Sequence, residues 1–417
     1  MITLIEALRY RSLRDVRQDL GTFHVLVGPN ASGKSTFLDV PGFLGDLLRR
    51  GLTDAIGERS PTLQNLLWMR ENARLELAVE LEIPKPQRKR LAPGYRSARY
   101  EMAVGYARKG VFAILGETLW LKPATQPAGR VRGNLFPAES EPRPSLMQSA
   151  HTDHPPDWRR VVSKDSASGN DHFFAETSDW SNPFRLGPSR PALANLPEDE
   201  ERFPVATWAK RTLMEGLRRL ALDSTAMRRP APPGSTPEFQ PDGSNLPWVL
   251  EDLRQHDRRR FDEWLAHVRT AVPDIQAVTT VERKDDKHRY LRITYANGLR
   301  TPSWTVSDGT LRLLALTLLA YQDMPARTYL IEEPENGIHP QAVECVFQAL
   351  SSARDRQILC ASHSPVLLSL TEPASILCFA RAANGESDVV RGTEHPLLAH
   401  WRRETDLGTL FASGVLG

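Results

Sequence analysis

The 417-residue sequence predicts an α/β fold centred on a parallel sheet covered on both faces, and three observations predict it. Phe23-His24-Val25-Leu26-Val27 is a short apolar run that passes directly into the glycine-rich stretch Gly28–Thr36, after which a helix begins at Lys34. From 308 to 380, helices at 308–321, 340–353 and 364–370 alternate with apolar strands at 328–331, 357–361 and 375–380, the pattern of strands buried on both sides. Residues 74–83 alternate apolar and polar, as a half-buried strand does, and 99–107 and 111–121 continue it as antiparallel strands.

The remaining elements follow in order. Residues 2–8 read as a strand separated from 23–27 by a turn at Asp19–Gly21. Pro41 lacks a donor and clashes one turn back, so the helix from Lys34 should kink there before continuing through Arg49. Twelve of the 32 prolines fall between 123 and 204, among many Ser, Asp, Asn and His residues, which reads as an irregular insertion, partly mobile, with at most short elements. Helices are expected at 206–222 and 252–272, and strands at 276–283 and 289–296. The predicted organisation is an N-terminal lobe (1–122), the proline-rich insertion (123–204), a helical and strand subdomain (205–300), a C-terminal lobe (301–382) and a tail (383–417).

Composition excludes little but bounds the answer. Lys and Arg total 53 against 51 Asp and Glu, so a net charge of +2 leaves any nucleic-acid contact to local patches. Cys345, Cys360 and Cys378 form neither a disulfide framework nor a metal-type pair, as suits a reducing compartment. There is no apolar run near the roughly 18 residues of a membrane span, and the N-terminus lacks signal-peptide character, so no membrane partner and a cytoplasmic location are expected.

Four pieces carry chemistry. Gly28-Pro29-Asn30-Ala31-Ser32-Gly33-Lys34-Ser35-Thr36 is the phosphate-loop pattern. Its glycines let the backbone wrap a phosphate, and the following helix points its positive end at the anion. Lys34 would reach the β- and γ-phosphates and Ser35 would ligate Mg²⁺, so ATP and Mg²⁺ are the expected cofactors. Thr328–Ile331 ends in Glu332 and Glu333; the first is assigned to the metal and the second to the attacking water. Ile358–Ala361 ends near His363, placed at the ligand edge of a parallel sheet. Ser307-Asp308-Gly309-Thr310 opens a helix, with Ser307 suited to capping and Gly309 to close backbone approach.

The order of these four pieces resembles an ABC-type ATPase head, of the SMC, RecF and OLD-like group rather than the transporters. The implied fold is a P-loop NTPase of α/β class: an ABC-ATPase-like head with a mixed sheet, an antiparallel β subdomain and a helical insertion. The stretch Glu333–Pro340 is similar to the segment following the acidic strand in OLD-like ATPases, and Tyr10-Arg11-Ser12 resembles the SMC-head segment whose arginine contacts nucleotide. The resemblance spans about 1–120 and 205–417. It implies an ATP hydrolase that closes as a homodimer or higher homo-oligomer, with Ser307, Asp308 and Gly309 completing the partner copy's site, Asn336 at the seam and His363 as a switch residue. The signature Ser-Asp-Gly-Thr differs from the transporters' Leu-Ser-Gly-Gly-Gln, Glu332 stands where many relatives have Asp, and Gln64 is a weak candidate for the metal-sensing glutamine. With no long coiled coil and no room for a TOPRIM nuclease after 380, the expected effector is a separate polypeptide, a nuclease or toxin of an anti-phage system. The alternative is a RecF- or SMC-like DNA-binding ATPase in repair or recombination.

Weaker signals stay open. Lys85, Arg88, Lys89, Arg90, Arg96 and Arg99 form a basic run that could track a nucleic-acid backbone or be a solvated hairpin. Arg258–Arg260 reads as a charged helix face, and His151, His154 and His172 lack metal spacing.

Overall fold

The computed structural model describes residues 1–71, 73–107, 110–123, 136–139, 141–148, 155–165, 169–322, 327–353, 355–398 and 407–412. His151 and His154 lie outside these residues. The six-stranded central sheet runs in the order Leu217–Leu220, Thr328–Glu332, Gln357–Ala361, Phe23–Val27, Ile376–Arg381, Ser387–Arg391. Its first five strands are parallel and the last is antiparallel, so the sheet is mixed. An eight-stranded antiparallel sheet extends from Leu13–Asp19 through Ile2–Tyr10, Arg74–Glu82, Tyr95–Tyr106 and Phe112–Pro123 to three strands of the insertion. A three-stranded sheet (Ile275–Glu282, Arg289–Tyr295, Arg300–Pro302) completes the fold.

The central strands are continuous apolar runs because their two faces feed different cores. Leu26, Leu330, Leu359 and Phe379 pack with the loop helix Lys34–Arg50 and the large sheet. Their neighbours Val25, Ile331, Ile358 and Cys378 face the helices Asp308–Leu318 and Pro340–Ser352. Successive strand residues point to opposite faces, so each side of the sheet is dry. Among the described residues no helix is long and apolar enough to cross a membrane.

Several elements differ from expectation. Leu13–Asp19, where the sequence predicts only a turn beginning at Asp19, is a strand whose charges are paired at a distance: Arg14 with Glu386, Asp15 with Arg143 and Arg17 with Glu6. The helix expected at 206–222 stops at Glu215, and after Gly216 the segment Leu217–Leu220 becomes the edge strand of the central sheet. The helix expected at 252–272 is two, Leu246–His256 and Arg258–Ala271, because the Asp257 carboxylate accepts from the Arg260 amide at 2.9 Å and starts a new helix. Lys34–Arg50 runs as one helix with Pro41 inside it.

The stretch expected to be irregular, with at most short elements, contributes three short antiparallel strands: Arg159–Asp165 pairs with Phe112–Pro123, Asn170–Phe174 with Arg159–Asp165, and Ser181–Phe184 with Asn170–Phe174. These short strands are anchored by polar contacts to other segments. Glu176 accepts from the amides of Val205 and Ala206 at 2.8 and 2.7 Å, capping the helix Pro204–Glu215. Arg143 reaches Asp15 and Glu6, and the amide of Gln148 donates to buried Glu101 at 3.0 Å. Arg99, grouped with the basic run, is instead buried within the sheet among Glu6, Glu80 and Glu101, and Arg90 pairs with Glu200 at 3.6 Å.

Candidate nucleotide site

Strand Phe23–Val27 lies centrally in the sheet, and its C-terminal end delivers the phosphate loop. Gly28 has φ 145° and lies against the carbonyl of Phe379, where a Cβ has no room. Gly33, at φ 104°, sits against Ser387 and Ser12 and precedes the first helical residue, Lys34. The glycines are therefore required by close approach to the neighbouring strands as well as by curvature.

The Lys34 ammonium donates to the carbonyls of Gly28 and Pro29 at 2.7 and 2.8 Å. Burial pushes it down to about 8, against the pull of Glu333 and Glu332. Ser35 Oγ donates to Glu332 Oε2 at 2.6 Å, and Arg219 from the edge strand holds Glu332 Oε1 at 2.5 Å. Glu333 adopts φ 49°, and its amide donates to the Ala361 carbonyl at 2.8 Å on the adjacent strand. This left-handed turn directs successive carboxylates differently: Glu332 beside Ser35, Glu333 into the cleft.

The cleft, about 450 Å³, is lined by Arg11, Ser12, Asn30 through Thr36, Glu333, His363 and Arg381. Burial lowers the imidazole of His363, and Lys34 adds to the effect while Glu333 and Glu335 oppose it. The His363 amide and the Ser362 hydroxyl both donate to Glu335 Oε1, at 3.0 and 2.7 Å. The sequence assigns no role to Ser12, Arg219, Glu335 or Arg381; Ser12, beside Arg11, and Glu335, within the acidic stretch after the strand, lie in segments it does single out, whereas Arg219 and Arg381 carry no local signal. Gln64 donates to the Arg70 carbonyl at 3.2 Å and does not line the cleft.

The donors present suit Mg²⁺, a hard cation that takes oxygen ligands and commonly pairs one or two carboxylates with substrate phosphates. The Ser35 hydroxyl and Glu332 carboxylate are already adjacent, and Ser35 lines the same cleft as Glu333.

Ser307, Asp308 and Gly309 do not line this cleft. Ser307 caps the helix Asp308–Leu318, its Oγ accepting from the Thr310 amide at 3.3 Å. Gly309 abuts the Gly337 carbonyl with no space for a side chain. Asn336 is exposed, its amide nitrogen 3.5 Å from Glu333 Oε2, and lines a second cleft of about 300 Å³ with Arg219, Arg312 and Glu333.

Residues 137–369, more than half of the chain, match the family described as "AAA domain, putative AbiEii toxin, Type IV TA system". The chain belongs to this AAA-domain family. The matched span takes in Ser307–Gly309, Glu332, Glu333 and His363 but not the phosphate loop. No curated protein matches the sequence. Among solved structures, this AAA-domain chain is similar to the SMC head bound to the C-winged helix domain of ScpA, at 13% identity and TM-score 0.53 over 93% of this chain and 96% of that one. It is also similar to the SMC head with an extended coiled coil bound to the C-terminal domain of ScpA, derived from Pyrococcus furiosus, at 12% identity and TM-score 0.50 over 93% and 95%. At such identity the likeness establishes the fold, that of SMC-head P-loop ATPases.

Proposed function

We propose that this AAA-domain protein binds and hydrolyses Mg-ATP between two copies of itself, and that the closed pair controls a separate effector, a nuclease or toxin, in the cytoplasm. One observation carries the reading. The phosphate loop, Glu333 and His363 share a cleft, while the capped Ser307–Gly309 turn lies outside it with Ser307 and Asp308 exposed. A second copy can supply that turn to the open side of the cleft.

In this reading the loop amides and Lys34 hold the phosphates, and Arg11 contacts the nucleotide. Ser35 and Glu332 would hold Mg²⁺, which would supply charge neutralisation for the bound phosphates. Glu333 orients the water and draws its proton as the oxygen bonds the γ-phosphorus and the bridging P–O bond to ADP breaks. His363 faces the leaving phosphate. Ser307, Asp308 and Gly309 close over the γ-phosphate from the other copy, with Asn336 at the seam.

Lys34→Ala should lose nucleotide binding. Glu333→Gln should bind ATP, stop turning over and accumulate as a dimer in sedimentation. Unchanged turnover in Glu333→Gln overturns its assignment, and a monomeric Glu333→Gln saturated with ATP overturns the two-copy site. The family's description, naming an AbiEii toxin and a type IV TA system, supports a toxin as the effector; the anti-phage role and the OLD-like kinship extend this proposal. The SMC-head fold and the exposed Lys85, Lys89 and Arg96 favour the second reading, an ATP-dependent DNA clamp. Salt-sensitive duplex binding, lost when Arg88, Lys89 and Arg90 become alanine, would select it.

A further inference from the structure

The Ser307–Gly309 turn is held by more than its own cap. Arg228 ends the short helix Ser224–Arg228. Its Nε and Nη2 donate to the Val306 carbonyl at 3.2 and 3.0 Å, and its guanidinium pairs with the Asp308 carboxylate. Its own carbonyl accepts from the Ser303 hydroxyl at 3.0 Å, and Ser303 is wholly buried. One arginine therefore grips the chain before, beside and after Ser307. On the other side Gly309 is wedged against Gly337. The clamp is itself anchored: Arg312 of the turn's helix donates to the Leu222 carbonyl at 3.0 Å, and the preceding strand Leu217–Leu220 pairs with Thr328–Glu332.

Charge gives this clamp a purpose. Asp308 follows Ser307 directly, so a phosphate approaching Ser307 would meet a carboxylate of its own sign. Pairing with Arg228 cancels that repulsion. The Val306 contacts also hold the turn's backbone rigid, and a planar guanidinium offers its donors in a fixed fork that spans carbonyl and carboxylate, where the compact ammonium of a flexible lysine has a shorter reach.

We propose that Arg228 is a positioning residue for the trans half of the nucleotide site: it fixes Val306 and neutralises Asp308 so that the Ser307 hydroxyl and the helix N-terminus donate to the phosphates bound by a second copy. This rests on the two-copy reading above. Arg228→Ala should keep wild-type affinity for ATP at its own loop and lose roughly a hundredfold in turnover, as a misplaced group does. Arg228→Lys should retain the pairing with Asp308 and fall between; it serves as the variant of choice if the alanine form melts early.

Mixing experiments separate this role from a purely structural one. Arg228→Ala alone is expected to be slow and Lys34→Ala inactive, yet their mixture should recover turnover, because the intact loop of the first meets the intact turn of the second. Ser307→Arg mixed with Lys34→Ala provides the reference pair. If that pair recovers and the Arg228 pair does not, Arg228 acts on its own chain and the inference is wrong. Wild-type turnover in Arg228→Ala also overturns it. If neither pair recovers, the two-copy site itself falls, and this inference with it.

Discussion

Replacing Arg99 with methionine should cost about 3–5 kcal/mol at neutral pH, the usual penalty for stranding one side of a buried ion pair. Arg99 is 3% exposed and serves Glu6, Glu80 and Glu101 at once, while also donating to the Leu146 carbonyl at 3.3 Å. Methionine fills most of the volume, so the loss should be electrostatic. Burial pushes the Glu6 carboxyl up, but Arg99, then Arg143 and Arg17, outweigh it and hold it at about 2. A depressed carboxylate stabilises the fold fully above its ordinary value of 4.5 and ceases to do so as pH falls through about 2. That span corresponds to about 3 kcal/mol as an upper figure. Without Arg99 the depression shrinks, so the variant has less to lose in acid. The gap between wild type and variant should be widest near pH 7 and narrow below pH 4.5. Urea unfolding at about pH 7 and about pH 3.5 measures this, with hydrogen exchange in Ile2–Tyr10, Arg74–Glu82 and Tyr95–Tyr106 reporting the affected sheet. A loss under about 1 kcal/mol at pH 7, or an equal loss at both pH values, would refute the electrostatic account.

Two further outcomes concern the site. Glu335→Ala strands the amide of His363 and the buried hydroxyl of Ser362, so kcat should fall about tenfold or more with ATP affinity unchanged, whereas Glu335→Gln keeps a carbonyl acceptor and should recover most of it; equal kcat in all three proteins would remove Glu335 from the mechanism. Arg219→Ala removes a cation that competes for Glu332, so the Mg²⁺ concentration giving half-maximal nucleotide-dependent dimerisation should drop, though by no more than about fivefold because the pair is exposed; a rise in that concentration would mean that Arg219 instead holds Glu332 ready for the metal.

What was legible locally and what was not follow from the range of the forces involved. The loop from Gly28 to Thr36 could be read from residues because phosphate wrapping requires glycine and a following helix in immediate succession, and the structure has both. Glu332 and Glu333 could be read because a five-residue apolar strand must end somewhere, and its carboxylates can only stand at that end. The central strands announced themselves through dryness on both faces. Leu13–Asp19 and Leu217–Leu220 did not, since their arginines and aspartates resemble solvated turns until Arg143, Glu386 and Glu332 arrive from far along the chain. The strands within 159–184 were hidden in the same way, by proline and polar content whose anchors lie in other segments.

The same division holds at the site. The sequence by itself determined where a phosphate could bind and which carboxylates and histidine stand near it, because backbone sterics and strand periodicity act over a few residues. Only the tertiary structure decided that Ser35 and Glu332 touch, that Glu335 holds the turn of His363, and that Arg228 clamps the Val306–Asp308 turn. Those contacts are charge-assisted hydrogen bonds between residues tens to hundreds of positions apart. Such pairs are selected by where the chain folds back on itself, and no local pattern of residue types encodes them.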